Sequence, residues 1–600
     1  MPKKVVILGG GVAGMSAAHE LIERGFAVEI YERQPHYVGG KARSVDVPDS
    51  ATPGHQPLPG EHGFRFFPGF YRHITDTMKR IPYGQNRQGV FDNLVPTQRV
   101  MMARTGKPPV AAPVNFPKTR ADWQALLDGL LHADTGLTDA DKKLFADRVW
   151  QLLTSSYERR QQSYERVAWW QYMSTDQQCG TRQPCPYELY CVGGLTHSLV
   201  AAQPQLMSTK TGGDILLQLL LLMANPGAHT DRVLNGPTND VWLNPWLQYL
   251  KSKGVVYHHN QLTTALHCDP ATRLISGATL LDLETHQTRT VQADYYLAAV
   301  PLERMAKLIS PDMVKLDPTL GFVEHLSNPH LHTLNWMNGV QFYLREDVQL
   351  TKGHVICIDS PWAITVISQP QFWPGFPMSG YGDGQAKGLL SVDVSNWFAE
   401  GVLDWPLEDG TTGRKQACDC TLDEIVKEVW AQLEQSLNTP GLPPLLGPDL
   451  LLRAYVDADI RPERLSAPAQ ALDVPTRSGH NDEPLLVNTA NSWSLRPEAS
   501  TGIANLFLAA DYVRTNTDLA TMEGANEAAR RAVNGIIAAS GAKVPTCRIW
   551  ELHEPGVLAV LRWLDRRRFA QGLPWTNEVP WLGRALHRLN YLFHQFRRFK

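Results

Sequence analysis

The chain has 600 residues, 43% of them hydrophobic and 20% charged, which is enough apolar material for a large core and several domains. A net charge of -3 gives no global signal for nucleic acid. The eight cysteines form no CxxC pair and no zinc-like cluster with histidine, so no metal site is expected, and reduced thiols in a cytoplasmic protein are.

After Met1 the chain enters "KKVVILGGG", a buried strand running into a turn rather than a secretory signal. The stretch Val5–Arg33 continues as strand, glycines, helix and second strand. Gly9, Gly11 and Gly14 fit GxGxxG, Val12 and Ala13 open the helix, and Glu32 and Arg33 end the second strand. The glycines serve a tight turn, a close backbone approach to a pyrophosphate, and close helix–strand packing. The helix start offers free N–H groups to phosphate. An acid at position 32 suits the adenosine ribose hydroxyls and disfavours a 2′-phosphate. All five parts agree, so a dinucleotide site is expected here.

A second glycine turn follows in "VGGKARS", with Gly39, Gly40, Lys41 and Arg43. Another close backbone approach so soon after the second strand suits FAD, whose diphosphate and ribityl chain need it.

Residues 60–74, "GEHGFRFFPGFYRHI", crowd Phe64, Phe66, Phe67, Phe70 and Tyr71 around Gly63 and Gly69. The pattern alternates at neither two nor three to four residues. Beyond it, 76–231 reads mostly as helix, and the apolar run 215–224 is too short to cross a bilayer and reads as a buried helix. Strands with turns between them are expected over 255–300, and 311–479 begins helical and then gives strands such as "NGVQFYL" and "AITVISQ".

Near the end, "NLFLAA" is a buried strand with Asp511 at its carboxyl end, where ligands sit in open α/β sheets. A helix follows from about Thr521, carrying Met522 and Glu523 in its first turn. A helix start beside a flavin would favour the anionic reduced form. Trp493 and Arg496 lead directly into this strand and are expected near the flavin, with a buried ion pair as the alternative for Arg496. The tail, 548–600, is rich in arginine, and Leu582, Leu586, Leu589, Phe593 and Phe596 share one helical face. A basic amphipathic helix of this kind suits a membrane surface, and docking on the protein itself is the alternative.

Three of these segments carry a resemblance. "GGGVAGMSAA…YER…VGGK", "LNGPTNDVWLNPWLQYLKSKGV" and "NLFLAADYVRTNTDLATMEGANEAA" are similar to the FAD-dependent desaturase branch of the flavin amine oxidase superfamily, which includes phytoene and zeta-carotene desaturases and hydroxysqualene dehydroxylases. The sequence departs at Ala510, where the pattern has Gly, and at 527–529, where it has Ser-Gly.

The resemblance implies an α/β fold: a discontinuous Rossmann-like FAD-binding domain (1–75, 232–310 and 480–540), a mixed α+β substrate domain (76–231 and 311–479) and a helical basic tail (541–600). It implies that the stretch after the second glycine turn crosses the flavin. Gly63 would admit the ring, Phe64, Phe66 and Phe67 would wall it, and His62 and Arg65 would be the polar groups at the reacting centre. Thr263 matches the adenine-contacting strand end. The expected activity is hydride transfer from an isoprenoid or other long-chain substrate to FAD, without nucleic acid, on the inner face of a membrane or near it. A lipophilic or cyclic amine as substrate, and a non-enzymatic scaffold, are the rival readings. The electron acceptor is not specified by the sequence.

Overall fold

The computed structural model describes residues 2–63, 65–114, 134–194, 201–224, 230–407, 409–461 and 480–598. Its first layer is a five-stranded parallel sheet in the order Val256–His258, Ala27–Tyr31, Lys4–Leu8, Tyr295–Ala298, Leu506–Leu508. Parallel sheets are covered on both faces, so their strands are continuous apolar runs. Val5 to Leu8 are accordingly all buried. The crossover helix Val12–Ile22 packs against the long helix Met522–Ser540 on one side of the sheet. Gly14 sits where that helix meets its own strand: a Cβ there would lie 2.0 Å from the Gly9 carbonyl oxygen. Gly9 itself has φ +102°, a conformation that favours glycine.

Between the strands Val256–His258 and Tyr295–Ala298 of this sheet, an antiparallel sheet of Gln261–Asp269, Leu274–Asp282 and Thr288–Val291 leads the chain back. The expected α/β class and the Rossmann-like element are both present.

A seven-stranded sheet forms the second layer, in the order Leu451–Val456, Asn338–Leu344, Gly388–Val394, Ile364–Ser368, Gly353–Cys357, Arg99–Arg104, Lys107–Pro113. Its pairs are antiparallel except Gly353–Cys357 with Arg99–Arg104. One face, including Val340, Phe342, Val366, Leu390 and Val392, joins an apolar core with the helix Leu422–Leu437. That helix opens on a capping box: Thr421 Oγ1 accepts from Glu424 N–H, and Glu424 accepts from Thr421 N–H.

The 60–74 segment bridges the layers in very short pieces. Pro59–Glu61 pairs with Ser44–Asp46, and Phe66–Phe67 pairs with Arg232–Leu234. Phe67 is buried edge-on against Trp242, with ring centroids 5.5 Å apart. This explains its lack of periodicity: each short piece answers to a different partner.

The run at 215–224 belongs to the helix Thr209–Ala224. Among the described residues, no helix is long and apolar enough to cross a membrane. One expectation is corrected: the cysteines are not all reduced, because Cys179 and Cys185 form a disulfide, their Cα atoms 5.7 Å apart. The turn after the helix Thr175–Cys179 folds back and brings the two together, a proximity invisible in a spacing that lacks CxxC.

The tail forms two helices, Ala559–Ala570 and Trp581–Arg598. Asp565 anchors the first, accepting from Arg159 Nε (2.9 Å) and from Ser156 N–H (2.8 Å). The second lies along the first through a small and polar side. A Cβ on Gly583 would meet Leu564 Cδ1 at 2.7 Å, and Asn590 Nδ2 donates to the carbonyls of Gly556 and Val557. Trp581 (73% exposed), Leu586, Leu589 (64%) and Leu592 remain in solvent, with exposed Arg584 and Arg588. The side chains of Leu582, Phe593 and Phe596 lie outside the described residues.

Candidate functional site

A cavity of about 620 Å³ runs between the carboxyl ends of the parallel strands and the seven-stranded sheet. At its first end it is lined by Gly9, Gly11, Val12, Ala13, Glu32 and Arg33. The buried Glu32 carboxylate accepts from Gly10 N–H at 2.6 Å and from Gln34 N–H at 2.8 Å, while Tyr257 Oη–H donates to the Gly10 carbonyl at 3.1 Å. These bonds fix the glycine loop and leave lone pairs of the carboxylate for a ligand.

The glycines of the loop have separate reasons. A Cβ on Gly11 would meet nothing of the protein closer than 3.7 Å, so the fold has room for one. What a side chain there would fill is the cavity, which Gly11 lines. Gly14 does not line the cavity, and there the crowding is internal.

The second glycine turn leans on the first. Gly39 has φ +96° and Gly40 φ +57°, Gly11 and Gly39 form an isolated parallel bridge, and a Cβ on Gly40 would lie 3.1 Å from Gly11 Cα. Lys41 lines the cavity, donates to the Pro484 carbonyl and lies 3.6 Å from Glu303. Arg33 pairs with Glu483. Thr263 and Asp511 also line the cavity, and Asp511 Oδ1 is buried without a hydrogen-bond partner among the described residues.

Thr521 and Met522 reach the cavity from the start of the helix Met522–Ser540, where Thr521 Oγ1 accepts from Gly524 N–H at 3.2 Å. Glu523 does not line it. Its carboxylate accepts from the backbone N–H groups of Arg72, His73 and Ile74 at 2.8 to 2.9 Å, and from His73 Nδ1–H at 2.7 Å. It thereby caps the helix His73–Lys79, whose own N-cap residue, Arg72, supplies no side-chain bond.

Trp493 and Arg496 do not line the cavity either. Arg496 is fully buried and donates to Asp518 Oδ1 at 3.0 Å and to the Asp511 carbonyl at 3.4 Å. Asp518 also accepts from Lys210 Nζ, Thr211 Oγ1 and Asn488 Nδ2. The cations of Lys210 and Arg514 lie 5.1 and 4.9 Å from the Trp493 ring centroid. This network fastens the helix Thr209–Ala224, which puts Ile215 and Leu219 in the cavity wall, to the loop before Thr521.

At the other end the cavity meets His62, Gly63 and Arg65, together with Phe66, Phe70, His354, Thr365 and Asp393. Phe64 lies outside the described residues. His62 Nδ1 contacts Asp457 and lies 3.4 Å from Asp459 Oδ2. Asp459 also accepts two bonds from Arg43 Nη2, at 2.9 and 2.7 Å. Burial opposes protonation of His62, but the two carboxylates outweigh it and hold the imidazole up at about 9. The trio His62, Asp457 and Asp459 has ligand atoms close enough for a metal ion. Arg43 already engages Asp459, and the imidazolium stands between both acids, so the trio is an ion-pair network. Burial pushes the Glu61 and Asp393 carboxyls up to about 7, against the opposing pull of Arg65 on both. Burial likewise lowers the affinity of Arg65 for its proton.

Asp393, Thr365 and His354 are absent from the sequence expectations. Asp393 alternates with Ser391 in "LLSVDV", while Thr365 and His354 are single polar residues inside the apolar strands "ITVIS" and "GHVIC", a signal readable only once the cavity side is known.

Residues 7–81 match the model of the NAD(P)-binding Rossmann-like domain. The chain is 38% identical over 84 residues to zeta-carotene desaturase from Zea mays, which is 14% of this chain and 13% of that protein. Over 71 residues it is 44% identical to carotenoid phi-ring synthase from Chlorobaculum tepidum, covering 12% of this chain and 10% of that protein. The matched stretch thus spans about a tenth to an eighth of these curated relatives.

Likeness in structure extends over nearly the whole chain. Putrescine oxidase matches with a TM-score of 0.54 at 11% identity, over 90% of this chain and 99% of that one. An oxidoreductase from Methanosarcina mazei matches at 0.52 and 12% identity, over 89% and 100%. Cyclohexylamine oxidase from Brevibacterium oxydans IH-35A matches at 0.50 and 12% identity, over 90% and 99%. At such identities the likeness establishes the fold.

Proposed function

We propose that this chain, which has the flavin amine oxidase fold with a desaturase-like nucleotide-binding segment, is an FAD-dependent oxidoreductase acting on a lipophilic substrate. The observation that carries the reading is the continuity of one cavity. One cavity is lined by Gly11 and Glu32, by Gly63, Thr521 and Met522, and by Ile215, Leu219, Phe66 and Phe70. A dinucleotide motif and apolar walls in the same cavity suit a cofactor meeting a largely apolar molecule.

In this reading the Gly9–Gly14 loop and the first turn of its helix hold the pyrophosphate. Glu32 takes the adenosine ribose and Thr263 borders the adenine. Gly39, Gly40 and Lys41 give the second backbone approach, and Gly63 admits the ring. The start of the helix at Thr521–Met522, which lines the cavity, would favour negative charge placed beside it. Bound FAD supplies hydride acceptance. The protein's part is to orient a substrate carbon and exclude water, in the manner of a desaturase.

A second reading has an observation of its own: putrescine oxidase and cyclohexylamine oxidase, whose folds the chain shares over nearly its full length, act on amines by their names. Anaerobic mixing of the purified protein with isoprenoid, long-chain and amine candidates separates the two, because only a substrate bleaches the flavin. If nothing apolar bleaches it and amines do, the lipophilic assignment fails.

The tail fits the same picture. Its outer helix docks through Gly583 and Asn590 and turns Trp581, Leu586, Leu589 and Leu592 to solvent beside Arg584 and Arg588. Apolar burial and attraction to anionic headgroups act together on such a helix. In this reading it rests on a membrane surface, where a lipophilic substrate would be delivered.

A further inference from the structure

The seven-stranded sheet is apolar toward the helix Leu422–Leu437 but not toward the cavity. Residues directly opposite on neighbouring strands share a face. Thr365 pairs with Asp393, Ile367 pairs with Ser391, and Ser391 pairs with Gln341. One face therefore carries Gln341, Ser391, Asp393 and Thr365 across three adjacent strands, and Asp393 and Thr365 reach the cavity. Asp393 Oδ1, Thr365 Oγ1, Ser391 Oγ and Gln341 Oε1 are all buried without a hydrogen-bond partner among the described residues. Arg65, on the facing segment, lines the same cavity, and its Nε and Nη2 are likewise buried and unpartnered. Buried polar atoms are normally paired, so the orphans that line this cavity, on Arg65, Asp393 and Thr365, point to a partner that enters it.

We propose that the cavity takes an apolar molecule ending in a carboxylate, gripped by the side-on Nε–Nη2 edge of Arg65 with Asp393 and Thr365 beside it. The inference rests on the reading of this cavity as a substrate site. A carboxylate accepts two parallel N–H bonds from that edge of a guanidinium. Two of the three acids around Arg65 are committed elsewhere: Glu61 accepts from Thr238 N–H at 2.9 Å and Thr238 Oγ1–H at 2.8 Å, and Asp457 is held by His62 and by Asn338 Nδ2 at 2.8 Å, which leaves Asp393. A guanidinium with no hydrogen-bonded counter-ion favours an anion over a neutral end and repels an ammonium. Asp393, 5% exposed and held near neutrality by burial, can keep its proton and donate it in a hydrogen bond to the bound carboxylate. A pure hydrocarbon would leave Arg65, Asp393 and Thr365 unpaired.

The test is calorimetric titration of the FAD-loaded protein with decanoate, decanol, decylamine and decane. Decanoate is expected to bind at least about tenfold more tightly than the other three, the scale of one charge-assisted bidentate contact. Arg65→Gln should remove most of that preference while leaving decanol within about threefold. Should Arg65→Gln fail to fold, Arg65→Lys keeps the charge and loses the fork, and decanoate should weaken at least about fivefold. Equal binding of decanol or decane, tighter binding of decylamine, or unchanged decanoate affinity in the Arg65 variants would overturn the proposal. Heat, not flavin colour, reports the binding, so its failure is distinct from a failure to carry FAD.

Discussion

Glu523 and His73 lie 450 positions apart in sequence, yet one Glu523 oxygen accepts both the His73 backbone N–H at 2.8 Å and the His73 Nδ1–H at 2.7 Å. His73 Nε2 in turn accepts from Trp550 N–H at 2.9 Å, which fixes the imidazole tautomer. The helix whose start reaches the cavity is thereby tied to the segment that crosses it. Arg72 and Ile74 complete the cap.

Glu523→Ala should therefore act on stability before cofactor chemistry. It strips three buried donors and one partly buried donor of their acceptor at once, and a loss of about 3 to 5 kcal/mol is expected. Urea denaturation monitored by tryptophan fluorescence measures it. A loss below about 1 kcal/mol would mean that water replaces the carboxylate and that the cap is not structural.

Gly14→Ala should be poorly tolerated although alanine suits a helix, because the new Cβ would fall 2.0 Å from the Gly9 carbonyl oxygen and 3.3 Å from Ile7 Cγ2. Separation of helix and strand should cost about 2 to 4 kcal/mol. Gly25→Ala is the control. At φ +83°, with nothing within 4 Å, it should cost only about 1 kcal/mol. Equal midpoints for the two variants would show that helix and strand can part without penalty.

His62 gives the protein a pH-dependent contribution of definite sign. Its folded value, about 9, lies above the ordinary 6.5, so the folded state holds the proton more tightly. That stabilisation is complete below about pH 6.5 and disappears as pH rises through about 9. At about 1.4 kcal/mol per pKa unit, its upper bound is about 3.5 kcal/mol. The melting temperature should fall over this window, and the fall should be shallower in His62→Gln. An identical profile in the variant would place the proton elsewhere.

Deleting residues 581–600 should release the protein from anionic liposomes and leave bound FAD unchanged. Full-length protein should sediment with the vesicles at low salt and less at high salt, because screening weakens the arginine contribution. If full-length protein stays in the supernatant at low salt, or if truncation sheds FAD, the helix is a clasp of the protein itself.

How much of this was legible depended on how local each feature is. The motif from Val5 to Arg33 could be read because its strand, glycines, helix and acid all lie within one βαβ unit. Gly39 and Gly40 could be read as a second turn, although their contact with Gly11 could not. The Glu523 cap was hidden because its donors, at 72–74, are remote in sequence, and first-turn acids usually serve their own helix. Arg496 and Trp493 were placed near the cofactor by proximity to the last strand. Asp518, Lys210 and Arg514, partners that no periodicity reveals, hold them in a neighbouring network. Thr365 and Asp393 share a face only through cross-strand register, which a single sequence does not display. The Cys179–Cys185 pairing depended on a local fold-back that spacing alone did not indicate.

The central claim, that the cavity beginning at Gly11 holds FAD, is tested most directly by the flavin released when purified protein is denatured, compared between wild type and Gly11→Val. The protein has room for a Cβ at Gly11, so the variant should fold, while its branched side chain occupies space that lines the cavity. Wild type should release stoichiometric FAD, and a Gly11→Val protein with an unchanged circular dichroism spectrum should release almost none. Folded wild type without flavin, or Gly11→Val with its full complement, would contradict the account.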